Sequence, residues 1–94
     1  MTTIPAPHID AAKKAAIATR LRSIEGQARG IERMLEEDRS CLEILDQFSA
    51  LRGATQAAAL EALEVFAAHC LREPGNDHEQ VLAQVLGVIS RLTH

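Results

Sequence analysis

The sequence has very few aromatic residues: among its 94 residues there is no tryptophan, no tyrosine and only two phenylalanines. Proteins that bind single-stranded nucleic acid stack the bases on aromatic side chains, so this scarcity argues against such a function. Proline is also scarce, and the three prolines lie at positions 5, 7 and 74, which leaves the long stretch between them free of helix breakers. Because alanine and leucine dominate that stretch, the composition predicts an all-α fold.

The chain also lacks an apolar run of transmembrane length, and its first residues, MTTIPAPHID, do not resemble a signal peptide. It has only two cysteines. We therefore expect a cytoplasmic protein that does not contact a membrane and whose thiols are kept reduced. A chain this short that is drawn out in long helices buries little core of its own, so we also expect it to self-associate.

Apolar periodicity and capping residues divide the chain into a single domain, residues 1–94, with three helices. Two prolines block helix formation in residues 1–9, which are predicted to form a flexible arm. The predicted helices are helix 1 over residues 10–37, helix 2 over 40–72 and helix 3 over 77–93, with N-terminal caps at Asp10, Ser40 and Asp77.

The two cysteines, Cys41 and Cys70, lie near opposite ends of helix 2 and on the same side of it. They are 29 residues apart, which corresponds to only about 20° around a helix axis but about 43 Å along it. Two such thiols cannot meet within one straight helix. In two helices packed antiparallel about a two-fold axis, Cys41 can face the partner's Cys70. Cys41 also lies in the first turn of predicted helix 2, and a helix N-terminus stabilises the reactive thiolate form of cysteine.

The same antiparallel register also pairs the large apolar residues of helix 2. It places Leu45 opposite Phe66, Phe48 opposite Leu63, and Leu51 opposite Leu60. A symmetric interface must be self-complementary in this way. The sequence therefore predicts a homodimer with two identical Cys41–Cys70 sites, one at each end of the helix pair.

Basic residues are concentrated in the first third of the chain. Residues 1–34 contain six lysines and arginines against three acids, whereas residues 35–94 contain four arginines against ten acids. A multimer would gather several such basic helices into one surface suited to double-stranded DNA, although solvated cations on a long helix are also common. The candidate phosphate contacts are Lys13, Lys14, Arg20, Arg22, Arg29 and Arg52.

Residues 20–54, RLRSIEGQARGIERMLEEDRSCLEILDQFSALRGA, resemble the signature of the CsoR/RcnR/FrmR family of bacterial repressors. The resemblance implies a three-helix protomer, an antiparallel dimer that forms a four-helix bundle, and a homotetramer built as a dimer of dimers. It also implies a transcriptional repressor rather than an enzyme, which binds operator DNA through basic helical faces without a helix-turn-helix.

Within that family the residues near the two cysteines distinguish the signal that is sensed. Copper sensors carry H-x-x-x-C near the end of helix 2, and Phe66 stands here at the histidine position, where a phenyl ring cannot bind metal. The supporting tyrosine and glutamate of copper sensors correspond here to Ser40 and Leu86. Nickel, cobalt and formaldehyde sensors need the same histidine. The remaining pair of facing thiols is similar to the persulfide-sensing CstR type, in which the first cysteine attacks sulfane sulfur and the second resolves the adduct.

The sequence therefore predicts a repressor that low-molecular-weight persulfides or polysulfides release from DNA, with no cofactor. One alternative is a repressor for Cu(I) or another soft metal, which binds at Cys41 and Cys70 with or without His8 on the arm. Another is a sulfur carrier or thiol enzyme that does not need the basic helix. The last is a helical dimerisation module in which the cysteines are only small buried apolar residues.

Overall fold

The computed structural model describes residues 9–72, Gly75 and residues 77–93, and these residues form three helices without a strand. The helices are α1 (Ala11–Glu36), α2 (Cys41–Arg72) and α3 (His78–Leu92). The predicted all-α, three-helix protomer is confirmed. The predicted arm, including His8, lies outside the described residues except for Ile9. No helix in the described part of the chain is long and apolar enough to cross a membrane.

Each helix begins one residue after the predicted start because the first predicted residue is a non-helical cap. The Asp10 carboxylate accepts a hydrogen bond from the Ala12 N–H at 3.1 Å, and the Asp77 carboxylate accepts from the Glu79 N–H at 3.0 Å. The Ser40 hydroxyl oxygen accepts from the Glu43 N–H at 3.2 Å. These bonds satisfy N–H groups that have no partner inside the helix.

The turn between α1 and α2 reverses the chain within four residues. Asp38 adopts φ 53°, a left-handed conformation that aspartate tolerates better than most residues. The Arg39 N–H then donates to the Met34 carbonyl at 3.0 Å, and Arg39 Nε donates to the Glu43 carboxylate at 2.9 Å. Helices α1 and α2 consequently run antiparallel, with the start of α2 beside the end of α1.

Helix α2 is the centre of the protomer, and both other helices pack on it. The core of the described part of the chain is small, and its buried apolar residues are Ile9, Ile31, Ala58, Cys70 and Val81. The end of α3 is held against the middle of α2 because Gln56 Nε2 donates a hydrogen bond to the Leu92 carbonyl at 3.1 Å. That carbonyl is one of the last in α3, where no intrahelical donor remains.

A single protomer leaves much apolar surface uncovered. Its radius of gyration is 16.9 Å, whereas a compact domain of this length has a radius of about 12 Å. Its accessible surface is 6911 Å², against roughly 5300 Å² expected for a monomer of this mass. Along α2, Leu45 is 61% exposed and Phe48 is 49% exposed. These residues belong to the predicted dimer interface, and the single protomer leaves them uncovered.

The variant Phe48→Glu tests this interface. We expect it to prevent dimerisation, because burial of an unpaired carboxylate costs several kcal/mol and raises the dissociation constant by about 1,000-fold. Sedimentation equilibrium measures the change. The matched control is Gln47→Glu, which places the same charge at an exposed neighbouring position about 100° around the helix. A Phe48→Glu protein that stays as assembled as this control would contradict the predicted register.

Candidate sensing thiols and DNA-binding face

Cys41 is the first residue of α2, and its side chain is exposed. The Ser40 cap fixes the start of the helix at this position, so the thiol lies beside the free N–H groups of the first turn. The partial positive charge of a helix N-terminus stabilises a thiolate, which is the nucleophilic form of cysteine. The Glu43 carboxylate, three residues after the Ser40 cap, pairs with Arg39. The Cys41 thiol is accessible to reagents in solution.

Cys70 lies in the last turns of α2 and is only 2% exposed. It borders a cavity of about 170 Å³ between α2 and α3, which is lined mostly by apolar side chains that include Phe66, Val81 and Val85. Phe66 lies one turn before Cys70 on the wall of the same cavity. A phenyl ring offers no ligand atom to a metal ion.

The two thiols do not approach each other within one protomer. Helix α2 is continuous over 32 residues from Cys41 to Arg72, so its ends are separated by about 1.5 Å for each residue of helix. Within the described residues, no group of three or more histidine, cysteine, aspartate or glutamate side chains is arranged to hold a metal ion. Any site that uses both cysteines must therefore be built from two protomers.

His69, the neighbour of Cys70, lies about 100° around the helix from it. It is half-buried, and its Nε2 atom is shielded from water. It borders a cavity of about 210 Å³ beside the start of α1, together with Asp10, Lys13 and Arg72. The packing of α1 on α2, which local periodicity does not reveal, accounts for this burial.

Five of the six candidate DNA contacts lie on α1, and all of them are exposed. Arg29 is 3.5 Å from the Glu25 carboxylate, but both side chains are largely solvated, so this pair restrains the arginine little. Arg52 is separate from the others. It borders a groove of about 460 Å³ between α2 and the end of α3, together with Phe48 and Arg91.

Arg20, another candidate DNA contact, has an ionic partner on α2 that the sequence does not reveal. Its Nε atom forms an ion pair with Oε2 of Glu61, which belongs to α2. Lys13, seven residues earlier on α1, borders a cleft that Glu61 and Glu64 also line. Two of the cations assigned to DNA therefore face carboxylates of the same protomer.

Comparison with known proteins places this arrangement in a family. A family model described as a metal-sensitive transcriptional repressor matches residues 13–91. The chain is 41% identical to the copper-sensing transcriptional repressor CsoR of Bacillus subtilis over 88 residues, which cover 92% of this chain and 87% of that protein. It is 42% identical to the copper-sensing transcriptional repressor RicR of Mycobacterium tuberculosis over 79 residues, which cover 80% and 82% of the two chains.

The fold agrees with these sequence matches. The crystal structure of the copper-sensing repressor CsoR with Cu(I) from Geobacillus thermodenitrificans superposes with a TM-score of 0.75 at 33% identity, over 99% of this chain and 96% of that chain. The matched proteins are transcriptional repressors and not enzymes. The chain therefore belongs to the CsoR/RcnR/FrmR family of metal-sensitive transcriptional repressors.

Proposed function

We propose that this protein is a homotetrameric repressor whose affinity for operator DNA is controlled by a pair of thiols, Cys41 and the partner's Cys70. The observation that carries the proposal is the position of the two cysteines at opposite ends of the unbroken helix α2. One thiol is exposed and lies at a helix N-terminus, and the other is buried in apolar surroundings. Family membership supports the DNA-binding and oligomeric parts of the proposal.

The inducer that we propose is a low-molecular-weight persulfide or polysulfide. The Cys41 thiolate attacks the sulfane sulfur of a persulfide RSSH, so that the RS–S bond breaks, RS⁻ leaves and Cys41 becomes a persulfide. The thiolate of the partner's Cys70 then attacks the Cys41 sulfur, and hydrosulfide leaves as the disulfide forms. Two cysteine persulfides that react with each other give a trisulfide and release hydrogen sulfide. A cysteine persulfide that first takes a sulfur atom from a second RSSH, with loss of RS⁻, becomes a hydrotrisulfide, and its reaction with the other cysteine persulfide gives a tetrasulfide and hydrogen sulfide.

Phe66 supports sulfur chemistry over metal binding at this site. Its ring lines the Cys70 cavity in place of a ligand, and most of the other lining residues are aliphatic. Persulfide exchange needs two thiols and no third ligand. The crosslinks would tie both ends of the α2 pair and move the basic faces of the tetramer away from the shape that fits DNA.

A second candidate inducer is Cu(I), because all three relatives described above are named copper-sensing repressors. Two thiolates can hold Cu(I) with two-coordinate geometry, and soft thiolate ligands favour this ion. His8, which lies outside the described residues, would be the third ligand if one is used. This candidate needs the same inter-protomer pair of Cys41 and Cys70, so the two inducers differ in chemistry rather than in the location of the site.

Glutathione persulfide tests the inducer directly. We expect the reduced protein to form covalent dimers that carry added sulfur or a disulfide, and to release a duplex selected from a random pool by the reduced protein. Intact mass spectrometry, non-reducing electrophoresis and fluorescence anisotropy measure these changes. Cys41→Ser and Cys70→Ser should each abolish both the crosslink and the release, because each removes one of the two reacting thiols.

A parallel titration with Cu(I) separates the two inducers. Stoichiometric copper binding that releases the duplex, without any crosslink by persulfide, would replace the persulfide proposal with metal sensing. In that case His8→Ala should weaken copper binding if the arm supplies a ligand. A third outcome is that the protein selects no duplex and that Arg20→Ala does not change its persulfide transfer. This result would indicate a sulfur carrier.

Operator binding should depend steeply on salt because phosphate contacts dominate it. Each phosphate that is neutralised contributes about 0.9 to the slope of log K against log salt. We expect Arg22→Ala to weaken binding and to reduce this slope by about one. The matched control is Arg91→Ala, which removes the same charge from α3. A flat salt dependence of the unmodified protein, or equal effects of the two variants, would contradict the assignment of the DNA-binding face to α1.

A further inference from the structure

The ion pair between Arg20 and Glu61 connects two helices that have different roles in the proposed function. Arg20 lies on α1, the proposed DNA-binding helix, and Glu61 lies on α2, which carries both thiols. The Arg20 side chain is 56% exposed and the Glu61 side chain is 30% exposed. The Glu61 Oε2 atom, which receives the Arg20 Nε contact, is itself shielded from water. One side of the guanidinium is therefore held by α2 while the rest remains open to solvent.

The pair lies along a cleft in which charges of opposite sign meet. Lys13 and Arg20 are seven residues apart and therefore on one side of α1. Glu61 and Glu64, which are neighbours on one side of α2, border a cavity of about 310 Å³ together with Lys13. The two carboxylates offset much of the positive potential that these two cations would otherwise present to DNA.

The other pair on α1 shows why the burial of Glu61 matters. Arg29 and Glu25 are 3.5 Å apart, with side chains that are 72% and 62% exposed. Solvent screens such a pair, which is worth little. The Glu61 oxygen lies where water is excluded, so its attraction for Arg20 is screened less.

We propose that Glu61 competes with DNA phosphate for Arg20 and thereby sets how tightly this repressor binds its operator. A carboxylate and a phosphate bind arginine through the same N–H donors. A phosphate that approaches Arg20 must share the guanidinium with Glu61 or displace it, and the operator affinity is lowered accordingly. This inference rests on the proposed function, because it assumes that Arg20 contacts DNA.

The test uses the reduced full-length protein and the duplex that it selects from a random pool. We expect Glu61→Gln to bind that duplex about tenfold more tightly at low salt. The Arg20 guanidinium is then no longer paired with a carboxylate and can form a charge-assisted hydrogen bond with a DNA phosphate. The slope of log K against log salt should become steeper by about 0.9, the contribution of one more neutralised phosphate. Glu79→Gln, which removes the same charge from an exposed position on α3, is the control for net charge.

The variant Arg20→Ala shows whether Glu61 acts through Arg20. In the Arg20→Ala background, Glu61→Gln should change neither the affinity nor the salt slope more than Glu79→Gln does. If Glu61→Gln does not assemble, as judged by sedimentation, then Glu61→Asp replaces it. That variant keeps the charge but shortens the side chain and so weakens its contact with Arg20. We therefore expect it also to bind the duplex more tightly than the unmodified protein does.

The outcomes separate this inference from the proposed function. If the unmodified protein selects no duplex, the proposed repressor function fails. If it selects one and Glu61→Gln binds that duplex no more tightly than Glu79→Gln does, the competition is refuted. An effect of Glu61→Gln that persists without Arg20 would also refute it, because Glu61 would then act on DNA binding by another route.

Discussion

The unbroken helix α2 determines where the other helices and both cysteines of the protomer lie. Because it runs without interruption from Cys41 to Arg72, it separates the two cysteines by nearly its full length and keeps them on one side. The same helix carries a long apolar stripe that the two other helices do not cover. One geometric fact therefore accounts both for the need for a second copy and for the place where the thiols of two copies can meet.

The helix also links the proposed sensing site to the proposed DNA-binding face. Its ends carry the thiols, its middle anchors the end of α3 through Gln56, and Glu61 reaches across to Arg20 on α1. A crosslink between two copies of α2 would act on the element against which α1 is packed. In the proposed function, a crosslink between two copies of α2 therefore acts on DNA binding through the packing of α1 on α2.

The fold was predictable from the sequence because its determinants are local. Apolar residues at steps of three and four define the helices, and Asp10, Ser40 and Asp77 mark their starts as capping residues. The cysteine arrangement was also accessible, because helical geometry alone relates Cys41 to Cys70. Only the family resemblance suggests that Phe66 stands at the position of a metal ligand. Without it, a phenylalanine on the apolar face of a helix is an ordinary core residue.

The contacts that the sequence did not reveal are those between helices. The burial of His69 and the pairing of Arg20 with Glu61 depend on how α1 is rotated and shifted against α2, which periodicity does not specify. The pairing of Glu43 with Arg39 reflects competition between two partners for one carboxylate, and the left-handed Asp38 in the turn brings Arg39 into reach. In each case the sequence suggests a solvated surface side chain, but the way in which the helices pack determines what that side chain contacts.

A complementation experiment shows whether Cys41 reacts with the thiol of another protomer. Cys41→Ser and Cys70→Ser proteins are mixed, allowed to exchange subunits and treated with glutathione persulfide, and the products are analysed by non-reducing electrophoresis and intact mass. A mixed dimer retains one complete Cys41–Cys70 site, so we expect covalent dimers in the mixture and none in either variant alone. A mixture in which subunits exchange but no crosslink forms would contradict this expectation.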